Sequence, residues 1–265
     1  MYYYIFEQPK GLSEKNLQKK IKDSLGLLGL AGETANVSPA RTTEELVDIA
    51  LAKEYNTIVA VGSDQLINKV ASLIIGKDVV LGIIPIKTSD IINKIIGLDN
   101  IEDAYRALKK RFLKIVDLAY LYPGSYFITK AGIKSEKPVE LELEIDQFKS
   151  TVMVTDLSVI SPAINTVKSN HSELEQSDNR LNIYLTNKNK QPYDIVKFFN
   201  KAIGKDVIDK VSSVFRARKF IINSTSPIPI VIDGKIVDKT PVIFTTKPKV
   251  LKIITNRAKI EVKKN

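Results

Sequence analysis

The sequence predicts two domains: an α/β domain built on a parallel sheet, followed by a mainly antiparallel β domain. Short apolar runs alternate with helical patterns up to about residue 130, which is typical of parallel strands joined by helical crossovers. Beyond that point strand-like runs follow one another between turn residues, as in an antiparallel sandwich or barrel. The chain of 265 residues is long enough for two cores. We therefore expect domains at 1–125 and 126–265.

The elements of the first domain follow from apolar spacing and capping residues. Strands are predicted at residues 1–6, 57–61 and 79–84, the last two as continuous apolar runs of the kind that helices cover on both faces. Helices are predicted at residues 14–29, after the capping pair Thr42 and Glu45, over Leu66–Ile74, and after Asn100 and Asp103.

The second domain begins with a clear strand pattern. Val139–Ile145 alternates apolar with acidic residues, which indicates a strand with one face in water. Further strand-like runs lie at 151–155, 181–186, 219–224, 228–232, 241–245 and 250–254. A helical stretch from Pro192 to about residue 215 interrupts them, and residues 169–180, rich in Ser, Asn and Glu, are predicted as a loop.

Composition restricts the function without identifying it. The chain has no cysteine, which excludes disulfides, thiolate metal sites and thiol catalysis. The N-terminus does not resemble a signal peptide, and no apolar run approaches the ~18 residues that span a bilayer. We expect a cytoplasmic protein that could associate peripherally with a membrane. The oligomeric state is left open.

The net charge of +10 predicts an anionic partner. Nucleotide and an anionic lipid surface both fit, whereas no nucleic-acid recognition motif is present, so nucleic acid is not expected. The basic residues near the C-terminus alternate with Val and Ile, which predicts the outer face of strands: Lys247, Lys249, Lys252, Arg257, Lys259, Lys263 and Lys264.

The most informative segment is the turn Gly62-Ser63-Asp64, which lies between an apolar strand and a helical pattern. A tight turn into a helix presents backbone N–H groups and the positive end of the helix dipole, and this arrangement binds phosphate. The sequence has neither the Rossmann fingerprint nor a Walker A motif. A single glycine after a strand can also be purely conformational, so the turn alone leaves both readings open.

The surrounding residues resemble the diacylglycerol kinase catalytic domain family. Its two signature loops, Gly-Gly-Asp-Gly-Thr and Ile-Pro-x-Gly-Thr-x-Asn-Asp, are similar to IVAVGSD at 58–64 and LGIIPIKTSD at 81–90. The likeness continues in order through residues 115–118, 126–129, 131–133, 178–181, 230–235 and 240–241. The resemblance implies a nucleotide-binding α/β domain, a β-rich lipid-site domain, and ATP and Mg²⁺ as cofactors.

The resemblance also implies site residues. Asp64 and Asp117 match acidic residues of the magnesium network and are the candidate metal-binding and catalytic residues. The candidate nucleotide-binding residues are those of the two loops and one lysine: Gly62, Ser63, Asp64, Lys87, Thr88, Ser89 and Lys235. Asp64 could alternatively be only a helix N-cap, and Asp233-Gly234 is explained by a type I′ hairpin alone.

Several family positions are changed. Gln65 and Leu66 stand where the first loop has Gly and Thr, and Ile91 and Lys235 stand where the family has acids. Extra Cβ atoms hinder the approach of phosphate to the backbone, and a site with fewer carboxylates holds magnesium poorly. Both cofactors are therefore in doubt. One hypothesis is that the ammonium groups of Lys87 and Lys235 partly replace the metal.

Three functions follow from the resemblance. The first is an ATP-dependent kinase of a lipid hydroxyl with weak or lost activity. The second is a non-catalytic member that binds nucleotide or lipid. The third is a protein of the NAD kinase type, which shares the Gly-Gly-Asp-Gly turn, although the Asp233-Gly234 and Thr240-Pro241 matches favour the lipid-kinase branch.

Overall fold

A computed structural model describes residues 1–167, 179–187 and 213–256. Within them the chain divides into two compact units. Unit 1 comprises residues 1–117 with the described parts of 163–177 and 248–265, and unit 2 comprises 118–162 with the described parts of 178–247. The predicted fold class is confirmed: an α/β part with parallel strands is followed by mostly antiparallel strands.

The described helices are α1 Leu12–Leu27, α2 Thr43–Ala52, α3 Asp64–Leu73, α4 Asp90–Ile96 and α5 Ile101–Lys110. The strands are β1 Tyr2–Phe6, β2 Gly32–Asn36, β3 Thr57–Gly62, β4 Val80–Pro85, β5 Phe112–Tyr122, β6 Ser125–Phe127, β7 Lys130–Ile145, β8 Phe148–Ile160, β9 Leu181–Thr186, β10 Ser213–Ala217, β11 Lys219–Asn223, β12 Pro229–Ile232, β13 Lys235–Lys239 and β14 Val242–Thr255. No described helix is both long and apolar enough to cross a bilayer.

Unit 1 is organised around a parallel sheet in the order β2-β1-β3-β4. The end of β14 joins it in parallel through the pair Ile253 and Leu81. All six residues of β3 are buried, because helices cover both faces of such a sheet. All four parallel strands end at the same edge, where the turns into the following helices meet.

Local sequence explains the helix starts. In α2 the predicted capping box is present: Thr42 Oγ1 accepts from the Glu45 N–H at 3.3 Å, and the Glu45 carboxylate accepts from the Thr42 N–H at 2.8 Å. The Asn100 side chain caps α5 by accepting from the Asp103 N–H at 2.9 Å. Each contact satisfies an N–H group that has no partner within its helix.

Unit 2 is antiparallel, in the order β10-β9-β8-β7-β11-β14. The long β7–β8 hairpin is its centre, and the inward residues of its strands form one apolar cluster with Phe127, Phe220 and Phe244. Leu141 and Leu143 of the predicted alternating strand lie in this cluster. The β12–β13 hairpin pairs with the start of β7.

One prediction for the second half is wrong. Ser213–Ala217 is strand β10 and not the end of a helix, because it pairs with β9. The predicted strand runs 241–245 and 250–254 are both strand and lie in one element, β14, in which Lys249 adopts a positive φ of 53°. The helix predicted from Pro192 and most of the loop 169–180, including His171, lie outside the described residues.

Candidate functional site

The predicted phosphate-binding turn is formed, and a carboxylate of the same chain lies on it. Ser63 is the N-cap of α3 and makes no capping contact with its own helix. Its N–H and its hydroxyl both donate to the carboxylate of Glu7, which follows β1; each distance is 2.8 Å. A helix N-terminus favours an anion. In this turn Glu7 supplies one.

The backbone of Glu7 is held on both sides. Its N–H donates to the carbonyl of Val61 at 3.0 Å, and its carbonyl accepts from Nε2 of the buried Gln18 at 2.6 Å. Gly62 packs directly against the side chain, since a Cβ on Gly62 would lie 2.8 Å from both Cβ and Oε2 of Glu7. The glycine of the motif is thus required by the close approach of Glu7.

The same edge of the sheet carries a longer polar network. The Asn36 amide, at the end of β2, donates to Oε1 of Gln18 at 3.0 Å, and the Lys22 ammonium donates to Oδ1 of Asn36 at 3.2 Å. The network continues from Gln18 through Glu7 to Ser63. Open parallel sheets bind ligands at the carboxyl ends of their strands, and here these groups bind one another.

Asp64 joins two loops of this edge. It is the first residue of α3, so it is not the N-cap, and both of its carboxylate oxygens accept from the N–H of Ser89, at 3.1 and 3.2 Å. Ser89 is the N-cap of α4, and its hydroxyl oxygen is buried with no hydrogen-bond partner in the described residues. Thr88 lies half-buried beside it. The structure therefore brings together Asp64 of the first loop and Ser89 of the second.

Lys87 lies at the same edge in a left-handed conformation, with a φ of 54°. Its ammonium is 2.7 Å from a carboxylate oxygen of Glu14 in α1, and its side chain is 75% exposed. The hydrogen bond from Lys87 lowers the pKa of Glu14 below its ordinary value. In this arrangement the partner of Lys87 is a carboxylate of the chain.

Asp117 lies elsewhere in unit 1. Its side chain is 3% exposed, and Oδ1 accepts from the N–H of Lys249 at 2.8 Å. Lys249 comes four residues before Ile253, which pairs in parallel with Leu81 near the start of β4. Asp117 is therefore positioned towards the amino ends of the strands, whereas Asp64 lies at their carboxyl ends.

The comparisons with known proteins agree with this architecture. Residues 5–121 match the family described as diacylglycerol kinase catalytic domain. This segment is thus similar to that family over 5–121. The chain is also similar to a crystal structure of a diacylglycerol kinase from Bacillus anthracis, with a TM-score of 0.70, 17% identity and 97% of each chain covered. No curated protein matches the sequence.

A more distant similarity is to yeast NADH kinase in complex with NADH. The TM-score is 0.57, with 8% identity over 99% of this chain and 85% of that one. At such identities both structural likenesses establish the fold and not the activity. The predicted resemblance to diacylglycerol kinases is thereby confirmed for the family and the fold.

The magnesium ion that the diacylglycerol kinase family implies does not fit the residues present. Asp64 and Asp117 face different ends of the sheet, and each already accepts a backbone N–H. In the described parts of the chain, no three side chains of His, Asp or Glu are grouped as metal ligands. The positions expected to carry further acids hold Ile91 and Lys235.

Lys235 belongs to unit 2, where it begins β13 and is exposed. The preceding turn has φ of 47° at Asp233 and 82° at Gly234, as a type I′ hairpin requires. The Asp233 carboxylate also accepts from the hydroxyl of the buried Thr129 at 2.8 Å. The Asp-Gly dipeptide therefore has a structural role in the hairpin.

The residues that sequence reasoning missed are Glu7 and Gln18. Glu7 follows the first strand directly, and in a parallel sheet that position lies beside the turn after the next strand in space. The position of Glu7 beside the turn follows from the pairing of β1 with β3. The sequence alone does not show which strands pair, so it could not predict this contact.

Proposed function

We propose that the protein is a diacylglycerol kinase-type lipid kinase in which ATP-dependent phosphorylation of a lipid hydroxyl is weak or lost. The alternative is a non-catalytic member of the family that binds nucleotide or lipid. The observation that carries this proposal is the contact between Glu7 and Ser63 at 2.8 Å. A carboxylate on the turn repels a phosphate from the same N–H and hydroxyl groups.

The acidic residues support the same conclusion. Phosphoryl transfer depends on positioning and on cations that neutralise charge between the phosphates. Asp64 is engaged with Ser89, and Asp117 is buried against Lys249. Lys235 stands where the family has a glutamate that assists deprotonation of the lipid hydroxyl. Loss of a general base commonly lowers the rate by roughly 10²–10⁴.

The proposal assigns different roles to the two predicted domains. Residues 1–125 contain the turn and the family match, and they are the nucleotide side. Residues 126–265 are the lipid side by analogy with the β-rich domain of the family. With Ser63 engaged by Glu7, the remaining candidate nucleotide contacts are Thr88 and Ser89, and Ser89 has a buried hydroxyl without a partner in the described residues.

A direct activity assay tests the proposal. The full chain is incubated with radiolabelled ATP, Mg²⁺ and extracted lipids, and labelled lipid is measured against time. We expect a rate at least about a hundredfold below the 1–100 s⁻¹ that is usual for kinases. An Asp64→Asn variant is the control for any residual signal. A lipid-dependent rate in the usual range, abolished by this substitution, would overturn the proposal.

The same assay also tests the alternative that the protein is of the NAD kinase type. Replacing the lipid with NAD asks whether a phosphorylated dinucleotide accumulates. Saturable product from NAD would assign the chain to the NAD kinase type, and we expect none. Calorimetry with ATP in the absence of lipid then distinguishes a binding protein from one that has lost nucleotide affinity as well.

A further inference from the structure

A cleft of about 310 Å³ opens in unit 1 where β4 begins, away from the turn at Gly62. The segment between α3 and β4 forms one side, and Ile115 of β5 with residues 249–252 of β14 forms the other. We call it the lysine cleft, because its polar lining consists of Lys77, Lys249, Lys252 and Asp78. Its size is at the lower end of that of small-ligand sites.

The charge of the lysine cleft is positive. Three lysines face a single aspartate, and the carboxylate of Asp78 is taken by Lys252 at 2.7 Å. Lys77 and Lys249 form no ion pair with any described residue. Two ammonium groups are thus left to attract an anion. Since Asp78 is 95% exposed, it screens the site only weakly.

An apolar surface adjoins these charges. Ile115 lines the cleft and is 51% exposed, and Leu113 is 53% exposed two residues earlier in the same strand. Residues two apart in a strand point to the same face, so both aliphatic side chains lie on the face of the cleft. Exposed aliphatic groups beside unpaired lysines are the combination that binds the interface of an anionic bilayer.

The backbone of the site is fixed. Lys249 has a φ of 53°, and its N–H donates to the buried carboxylate of Asp117 at 2.8 Å. This contact gives Asp117 a role at the lysine cleft: it holds the bend of β14 from which Lys249 extends. The site therefore does not need to order its backbone on binding, which favours affinity.

We propose that the lysine cleft docks the protein on an anionic phospholipid bilayer. The phosphate of a headgroup is bound by Lys77 and Lys249, while Leu113 and Ile115 enter the boundary of the acyl chains. This inference rests on the proposed function, in which the protein is directed to lipid. A nucleic acid would satisfy the lysines but would leave the two aliphatic side chains in water, so the bilayer fits better.

The test is sedimentation of the full chain with vesicles in the absence of nucleotide. Two kinds of vesicle are compared. One is phosphatidylcholine alone, and the other contains about 30 mol% phosphatidate, which gives a surface potential that attracts Lys. We expect binding only to the vesicles that contain phosphatidate. A Lys77→Ala/Lys249→Ala variant should bind about 25-fold more weakly, since each lysine near such a surface contributes roughly fivefold. Leu113→Ser/Ile115→Ser should also weaken binding, at low and at high salt.

The matched control is Lys15→Ala/Lys19→Ala, which removes the same charge from the exposed face of α1. It should retain most of the affinity, with melting temperatures checked for all variants. Equal loss in the control would mean a net-charge effect and overturn the proposal. Displacement by millimolar inorganic phosphate would identify a free-anion site, and preference for RNA over vesicles a nucleic-acid surface; either result overturns it. Because no nucleotide is present, failure here leaves the proposal of weak or lost phosphoryl transfer untouched.

Discussion

The carboxylate of Glu7 accepts both the N–H and the hydroxyl of Ser63, each at 2.8 Å, at the turn where the family motif predicts phosphate binding. One residue therefore explains two features of the sequence. The glycine kept in the turn, Gly62, leaves room for Glu7, and the turn needs no ligand to satisfy these two donors. Under the proposed function, this contact keeps phosphate away from the turn.

The first prediction is that removing the charge of Glu7 increases the affinity of the turn for phosphate. Glu7→Gln keeps the shape and a hydrogen-bond acceptor for Ser63, but it no longer repels an anion. We expect ATP and inorganic phosphate to bind at least about tenfold more tightly than in the wild type, or ~1.4 kcal/mol. Isothermal titration calorimetry measures the change.

Glu54→Gln is the control for this experiment, because it makes the same change of charge at an exposed position after α2. It should leave phosphate affinity unchanged. If Glu7→Gln and the wild type bind phosphate equally, Glu7 does not compete for the turn and the functional proposal loses its main support.

The second prediction concerns Gly62. Gly62→Ala places a methyl group 2.8 Å from Cβ and Oε2 of Glu7, and overpacking of this kind costs typically 1–3 kcal/mol. Urea denaturation should show that loss in the wild-type background. In a Glu7→Gly background the same substitution should cost less, since both Glu7 atoms are gone and Cδ2 of Leu66, at 3.0 Å, remains as a neighbour. Additive effects of the two substitutions would show that the contact does not limit position 62.

The fold of unit 1 was predictable because its signals are local. Buried parallel strands appear as continuous apolar runs, as in Thr57–Gly62, and capping pairs such as Thr42 and Glu45 mark where a helix starts. The wrong prediction falls where an element depends on a distant partner. Ser213–Ala217 is a strand through its pairing with β9, which no local pattern records.

The candidate site was predictable only in part, for the same reason. The motif loops named Asp64 and Ser89 as candidate residues, and the structure brings the two together. They did not predict that Glu7 lies on the turn, nor that Asp117 contacts Lys249. Each of these contacts joins residues far apart in the chain, so only the strand order reveals them.

The third prediction tests the capping box of α2. Thr42→Ala removes the oxygen that accepts from the Glu45 N–H, and loss of such a cap typically costs ~1 kcal/mol. Glu45→Ala removes the reciprocal contact to the Thr42 N–H. Chemical denaturation of both single variants and the double variant should give a double loss smaller than the sum. Independent losses would contradict a reciprocal box.

The fourth prediction concerns the pH dependence of the Lys87–Glu14 pair. The hydrogen bond from Lys87 lowers the pKa of Glu14 in the folded protein. A carboxyl whose pKa is depressed by folding stabilises the fold above its unfolded pKa, and this contribution is lost as the pH falls through the folded pKa. Lys87→Met should raise the pKa of Glu14 towards the ordinary glutamate range, as NMR titration would show. Because Lys87 is exposed, 1 M salt should have a similar effect in the wild type.

The last prediction asks whether Asp64 acts as a structural acceptor or as a metal ligand. Both oxygens of its carboxylate accept from the Ser89 N–H, and hydrogen bonds to charged groups contribute about 1.5–3 kcal/mol to stability. Asp64→Ala should therefore lower the free energy of unfolding by this amount, whereas Asp64→Asn, which keeps one acceptor oxygen, should lower it less. We expect Mg²⁺ to leave the melting temperature of the wild type unchanged. The melting temperatures of both variants should be equally insensitive to Mg²⁺. Stabilisation of the wild type by Mg²⁺ that disappears in Asp64→Asn would instead make Asp64 a ligand, and it would restore phosphoryl transfer as the function of this edge of the sheet.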